Sequence, residues 1–276
     1  MWIKIALRET GPYTIVAIRI VMALLVLLPF LIRGRVGFPK RPAIWRHLAI
    51  LCLISAVIPW LLIIWSEKYI DSALATVLNA TVPLFTIVIA HLWLHDDRMT
   101  RQRVFGLLVG FVGIVVLTFD DLFAALTAGM DIDARMKLLG QGAMLLAAFL
   151  YALSNVYARA RFRGVTPIFQ AFYSMLVASV LVWGLVPVIE PGFTLPLRPS
   201  TWIAIAWLGV FGAGISYLIF YYLLHQIGPT RVATVTYTIP VVGVTLGVVF
   251  LGEALTWELI VGTLLIVSGV WGVARR

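Results

Sequence analysis

Nine stretches of about twenty apolar residues follow one another along the chain, at 13–32, 45–65, 72–94, 103–119, 139–160, 167–189, 201–222, 230–251 and 257–274. A hydrocarbon layer about 30 Å thick is crossed by roughly 20 helical residues, so each stretch is long enough to span a bilayer. Inside that layer no water satisfies open backbone groups, and the runs lack the two-residue alternation of a barrel strand, which leaves the α-helix. The fold class expected is an all-α polytopic membrane protein. Composition agrees: 62% of the 276 residues are hydrophobic and 12% charged, and the mean hydropathy is +1.04. A soluble domain carries about 25% charged residues; half that amount cannot coat a globule of this size. A cytosolic enzyme, a disordered regulator and a secreted disulfide scaffold are therefore excluded. Cys52, the single cysteine, has no partner for an internal disulfide.

The net charge of +9 is explained by where the charges fall. Taking the loops alternately, fourteen of the 21 Lys and Arg lie on one side and six on the other, with Arg19 inside a span. Acidic residues show the opposite bias, since only Asp96 and Asp97 lie on the basic side. Basic short loops stay cytoplasmic, which predicts a multi-pass protein of the inner (plasma) membrane with a cytoplasmic C-terminus. The lipid bilayer is thus a partner. Nucleic acid is not one, because no soluble surface gathers the basic residues.

The chain also repeats itself. Ser72–Pro83 reads SALATVLNATVP and Pro229–Pro240 reads PTRVATVTYTIP. Each is followed by an apolar run, then an acid and a threonine (Asp97/Thr100, Glu253/Thr256), then two glycines (Gly106/Gly113, Gly262/Gly269). The offset is 157 residues at the prolines and 156 at the acids, and it also pairs Trp60 with Tyr217 and Trp65 with Tyr222. The expected domains are a first repeat over 1–122, a linker at 123–138 and a second repeat over 139–276. Five helices per half would turn the second half upside down. Inverted repeats are typical of secondary transporters, with the substrate near the midplane. Pro12 aligns with Pro167, so the first helix is represented only by its last seven residues, MWIKIAL. Its missing part is expected to lie upstream of Met1, unless the chain is a shortened form.

In this order and spacing, the junctions LHDDRMTRQRVFG and LGEALTWELIVG, the helices centred on Pro83 and Pro240, and the Gly-Pro-(x6)-Arg ending at Arg19 resemble EamA-type members of the drug/metabolite transporter superfamily. The resemblance implies a ten-helix fold of two inverted five-helix repeats, here nine full spans plus a fragment of helix 1. It also implies export of small metabolites, commonly amino acids or their relatives, across a bacterial inner membrane. Two departures stand out: most of helix 1 is absent, and Asp-Asp replaces the usual Gly-Glu in the first half.

Polar groups in mid-span normally face inward or line a wet cavity. Asn79 lies four residues before Pro83, which frees a backbone carbonyl near it. Thr236 and Tyr237 take the corresponding place before Pro240. The candidate substrate cavity is Asn79, Thr81, Trp60, Tyr151, Asn155, Tyr217, Thr236 and Tyr237. Trp60 and Tyr217 suit the cradling of a compact organic solute. Tyr151, Ser154 and Asn155 form one polar helix face by their i, i+3, i+4 spacing. The plainer reading of these groups is helix-to-helix hydrogen bonding, with threonines bonding their own backbone. Pro59, Pro83 and Pro240 are candidate hinges, and Glu67 and Glu253 candidate gates or helix caps. Arg19 either attracts an anionic substrate or serves structure, by bonding helix-end carbonyls or by reaching Glu9.

No metal or cofactor is expected. His91 and His95 have zinc-pair spacing, but the Glu of His-Glu-x-x-His is missing. No nucleophile motif or phosphate-binding loop is present, so neither enzymatic activity nor ATP-driven transport is expected. No carboxylate lies at mid-membrane, which leaves proton antiport and facilitated diffusion both open. The function expected is secondary transport of a small-molecule substrate by alternating access. A lipid or lipid-linked carrier flippase and a non-transporting scaffold or sensor are the alternatives. Nothing in the sequence specifies an oligomeric state.

Overall fold

The computed structural model describes residues 2–35, 42–94, 99–127, 132–162, 164–228, 231–232 and 238–274. Every described element is helical. In chain order these are α1 (Trp2–Ala6), α2 (Pro12–Arg33), α3 (Pro42–Cys52), a π-helical segment (Leu53–Val57), α4 (Ile58–Ser66), α5 (Ser72–Asn79), α6 (Val82–Trp93), α7 (Arg101–Thr127) and α8 (Ile132–Arg161). They continue with α9 (Pro167–Ile189), α10 (Pro199–Gly209), a second π segment (Val210–Ile215), α11 (Ser216–Ile227), α12 (Thr238–Leu251) and α13 (Trp257–Ala274).

Seven continuous helical stretches among the described residues are long and apolar enough to cross a membrane. Three of them join elements given above: Ser72–Trp93 joins two, while Pro42–Ser66 and Pro199–Ile227 each join two α-helices through a π segment. The last two expected stretches correspond to α12 and α13. The spans at 167–189 and 257–274 match α9 and α13 end to end, because a proline or a tryptophan-led apolar run marks each start. Helices α7 and α8 run further than their apolar cores suggest, to Thr127 and back to Ile132. Apolarity marks where a helix meets lipid, whereas the backbone ladder continues into water wherever no Gly or Pro stops it.

The chain forms two compact units, each drawing helices from both halves of the sequence. One comprises residues 62–156 and 229–276. Its core is built from Leu78, Leu84, Ile87, Ile114, Leu117, Ile266 and Val270, with α13 packed along α7. Glycines set that contact. A Cβ on Gly269 would lie 2.5 Å from the Gly106 carbonyl oxygen, and one on Gly113 would lie 3.0 Å from that of Gly262. Gly106 and Gly262 are repeat partners, as are Gly113 and Gly269, so each helix meets the other's partner residue. Such an exchanged contact is the mark of a local twofold between antiparallel helices. Small residues let the two backbones touch, which favours association where lipid offers no hydrophobic drive.

The other unit comprises Trp2–Leu61 and Tyr157–Gly228. Here α2 packs on α9 and on the π segment at Val210–Ile215, and α1 lies against α10, with the Trp2 and Trp207 rings tilted by 31° and their centroids 5.6 Å apart.

Candidate functional site

Prolines and π turns open the helix ladders at three places, and the exposed carbonyls there organise the candidate site. In the span from Pro42 to Ser66, Pro59 has no N–H for the carbonyls behind it. The Ser55 carbonyl, four residues back and inside the π segment, accepts the Tyr217 hydroxyl instead. The repeat partner of Ser55, at the 157-residue offset, is Gly212 in the second π segment. Its carbonyl accepts Arg19 Nη2 at 3.1 Å. Both halves thus carry a π turn at the same repeat position, and each turn offers a carbonyl to a side chain from elsewhere. Single π turns inside α-helices are found mostly at functional sites.

Arg19 is 8% exposed and has its guanidinium carbon 3.8 Å from the centroid of the Trp60 ring. Trp60, 2% exposed, meets Tyr217 edge to face, with centroids 5.7 Å apart. A buried cation is costly unless paired or hydrogen-bonded. Here an aromatic face and a backbone dipole offset that cost. Three hydroxyls lie in the same unit. Tyr221 is fully buried and turned toward the hydroxyls of Ser55 and Ser174. None of these three oxygens has a hydrogen-bond partner among the described residues.

The third opening lies in the other unit. Helix α5 ends at Asn79 and α6 begins at Val82, with Pro83 in the first turn of α6. Ala80 and Thr81 bridge the gap by short-range bonds, Ala80 N–H to Thr76 and Val77 and Thr81 N–H to Leu78. Pro83 cannot donate to the Asn79 carbonyl. The Asn79 side-chain Oδ1 is also buried, without a hydrogen-bond partner among the described residues. A broken helix with free backbone and side-chain acceptors midway along a span is what transporters use to hold solute or ion.

Three glutamates close helix starts. Glu190 accepts the N–H groups of Tyr13 and Thr14 at 3.0 and 3.1 Å and the Thr14 hydroxyl at 2.6 Å. The N-cap of α2 is Gly11, which has no side chain to do this, and a Cβ there would strike the Glu190 carboxylate. Glu253 accepts the N–H groups of Ser72 and Ala73 at the start of α5, both at 2.9 Å, while the Ser72 hydroxyl donates to Glu67 at 3.1 Å. Glu9 accepts those of Leu197 and Arg198 ahead of α10, at 2.7 and 3.0 Å. Each carboxylate neutralises free donors and the positive end of a helix dipole. All three belong to the acidic side of the charge tally.

A family model for EamA-like transporters matches residues 1–119 and again 138–275. The chain belongs to the EamA-like transporter family. It is 24% identical, over 99% of its own length and 92% of the other, to an uncharacterised transporter of Archaeoglobus fulgidus. It is 27% identical, over 92% of its length and 78% of the other, to the uncharacterised inner membrane transporter YedA of Escherichia coli K12. A solved crystal structure matches all of the chain and 95% of that structure with a TM-score of 0.71 at 22% identity, which is a likeness of fold. This EamA-like chain is a multi-pass membrane transporter.

Within this frame the predicted residues take different places. Trp60, Tyr217 and Arg19 come together, with Pro59 adjacent and buried. The Arg19 guanidinium goes to Gly212 and Trp60, whereas Glu9 is engaged at the start of α10. Thr81 is buried and donates to the Leu78 carbonyl at 2.7 Å, and Ser154 donates to Tyr151 at 2.8 Å. Tyr151 packs against the cluster of Val82, Ala148 and Ala152, and Asn155 is buried on the same helix. Pro83 and Pro240 lie near the starts of α6 and α12. Glu67 and Glu253 meet at Ser72. Thr236 and Tyr237 lie outside the described residues, as does His95. His91 accepts the Met99 N–H. The sequence analysis missed Ser174, Tyr221 and Glu190. A serine or tyrosine on an apolar helix carries no signal of its own, and Glu190 lies just past the end of α9.

Proposed function

We propose that this protein is a secondary transporter of small polar metabolites that bear N–H donors, such as amino acids or their relatives, working by alternating access in the inner membrane with a cytoplasmic C-terminus. The observation that carries the reading is the interrupted helix at Asn79–Val82, where a buried side-chain oxygen without a protein partner adjoins a backbone carbonyl that Pro83 cannot serve. Two acceptors at one depth suit an ammonium or amide donor better than an anion. The break and the two π turns are the points where a span can change its backbone without unfolding, as hinging requires. Export of solutes, rather than uptake, follows the family resemblance.

The test is solute flux in proteoliposomes across a panel of amino acids, amines and organic acids. Flux of N–H-bearing solutes above empty vesicles, lowered at least about tenfold by Asn79→Ala with the melting temperature kept, supports the reading. An order of magnitude corresponds to one lost hydrogen bond to a charged group. No flux across the panel, or flux indifferent to Asn79, overturns it.

A further inference from the structure

Two cavities adjoin along the same pair of helices, α9 and α11. One, of about 380 Å³, is of mixed character, lined by Arg159, Thr166 and His225 together with Gly164 and Val165. The other, of about 330 Å³, is apolar and lined by Pro167, Ile168, Leu218, Ile219 and Tyr222. Thr166 of the first and Pro167 of the second are neighbours in the chain. On α11, Leu218, Tyr222 and His225 follow at i, i+4 and i+7, a single stripe of one helix face that passes from the apolar cavity into the basic one. His225 lies about 4.5 Å beyond Tyr222 along the axis.

The basic end is built rather than loose. Arg159 Nη1 donates to the His225 carbonyl at 3.1 Å, which ties the end of α8 to the end of α11 with one of the five guanidinium N–H groups. The His225 ring is held from behind by Gln170, with Nε2 and Oε1 3.0 Å apart, and Gln170 is itself fully buried. Thr166 is the N-cap of α9 and makes no side-chain capping bond. Among the described residues, no acidic side chain lines either cavity. The apolar end faces outward: Ile219 and Tyr222 are both 53% exposed, which in a membrane means exposed to acyl chains.

We propose that this is a binding site for an anionic glycerophospholipid of the leaflet on the basic, cytoplasmic side, with its phosphate at Arg159 and Thr166, beside the His225 ring, and an acyl chain laid over Ile168, Leu218 and Tyr222. A free phosphate or carboxylate would be served by the basic cavity alone and has no use for the groove that continues it. A zwitterionic lipid would bring a phosphate as well, but its cationic group would lie against Arg159 and offset the attraction. Basic cavities between spans on this side of a membrane recognise acidic headgroups. The site is independent of the Asn79 interruption and of whatever solute is carried.

The test is native mass spectrometry of the full chain in mild detergent, titrated with phosphatidylglycerol or phosphatidylcholine. Phosphatidylglycerol adducts are expected to exceed phosphatidylcholine adducts about fivefold, the ratio one basic contact supplies. Arg159→Gln removes that preference, Arg159→Lys keeps part of it, and Ile168→Trp, which fills the groove and leaves the basic end intact, lowers retention of both lipids. A parallel melt with inorganic phosphate separates the sources. Phosphate stabilising the protein as much as phosphatidylglycerol does, with Ile168→Trp binding lipid like the parent, assigns a free-anion site and overturns the proposal. Equal retention of the two lipids by the parent, or an unchanged preference in a folded Arg159→Gln, overturns it as well. Where both Arg159 variants misfold, the parent's lipid preference and the Ile168→Trp result decide.

Discussion

Trp60 and Tyr217 stand 157 positions apart, at the offset of the internal repeat, and their rings meet edge to face at 5.7 Å and 81°. A residue touching its own repeat partner lies beside the axis that relates the two copies. The carbonyls of Ser55 and Gly212 obey the same offset, each engaged by a side chain, Tyr217 for one and Arg19 for the other. Helices α7 and α13 meet instead by exchange, Gly113 against Gly262 and Gly106 against Gly269. The duplication read in the sequence is therefore written into local contacts, and the predictions below address the groups that hold them.

Arg19 and Trp60 are energetically coupled. Replacing either by alanine or leucine removes the cation–π contact, and the double variant loses it only once. The coupling expected from a double-mutant cycle of thermal or denaturant unfolding in detergent is about 1 kcal/mol. Arg19→Lys recovers only part of the lost stability, since an ammonium lacks the planar face that stacks and the fork that also reaches Gly212. Additive single effects would show that the stacked geometry contributes nothing.

Glu253 secures the start of α5. Glu253→Ala leaves the N–H groups of Ser72 and Ala73 without their acceptor and is expected to cost about 1–2 kcal/mol. Glu253→Gln retains one acceptor oxygen and falls between. Melting temperatures of the three proteins in one detergent give the order, and equal values for parent and alanine variant would refute the capping role.

The contact of Glu9 with the start of α10 depends on pH. The Thr201 hydroxyl foremost, then the N–H groups of Leu197 and Arg198 and the Arg198 charge, hold the Glu9 carboxyl below the usual glutamate range, against partial desolvation. A depressed folded-state value stabilises above the unfolded value and is lost as pH falls through the folded one. The difference in melting temperature between the parent and Glu9→Gln is accordingly greatest near neutrality and closes in acid, below the normal glutamate range. A difference that widens on acidification would contradict this sign.

Gly269 and Gly142 separate packing from conformation. A Cβ on Gly269 would fall 2.4–2.7 Å from the backbone of Gly106 and Gly110, so Gly269→Ala must push α13 off α7, at a cost of about 1–3 kcal/mol. At Gly142 a Cβ would meet nothing within 4 Å. Gly142→Ala is then neutral or stabilising by up to about 1 kcal/mol, as alanine favours the helix. Unfolding of the two variants side by side decides, and equal effects would exclude the close approach of the backbones.

Much of this protein follows from its sequence alone. Length and apolarity dictate helices across a bilayer, because no other backbone satisfies itself without water. The repeat offset, 157 residues for Ser55 and Gly212 and 156 for Gly106 and Gly262, likewise announces that these pairs are equivalent before any contact is known. Pro83 marks the interruption at Asn79 for the same kind of reason: a missing N–H is a local fact. Partnership is not local. That Arg19 settles on Trp60 and Gly212 while Glu9 serves α10, or that the donors at Tyr13 and Thr14 are met by Glu190 from 177 and 176 residues away, depends on which helix ends the packing brings together. Apolar periodicity carries no information about that pairing, and so the duplicated frame was legible in the chain while the groups that close it were decided only by the fold.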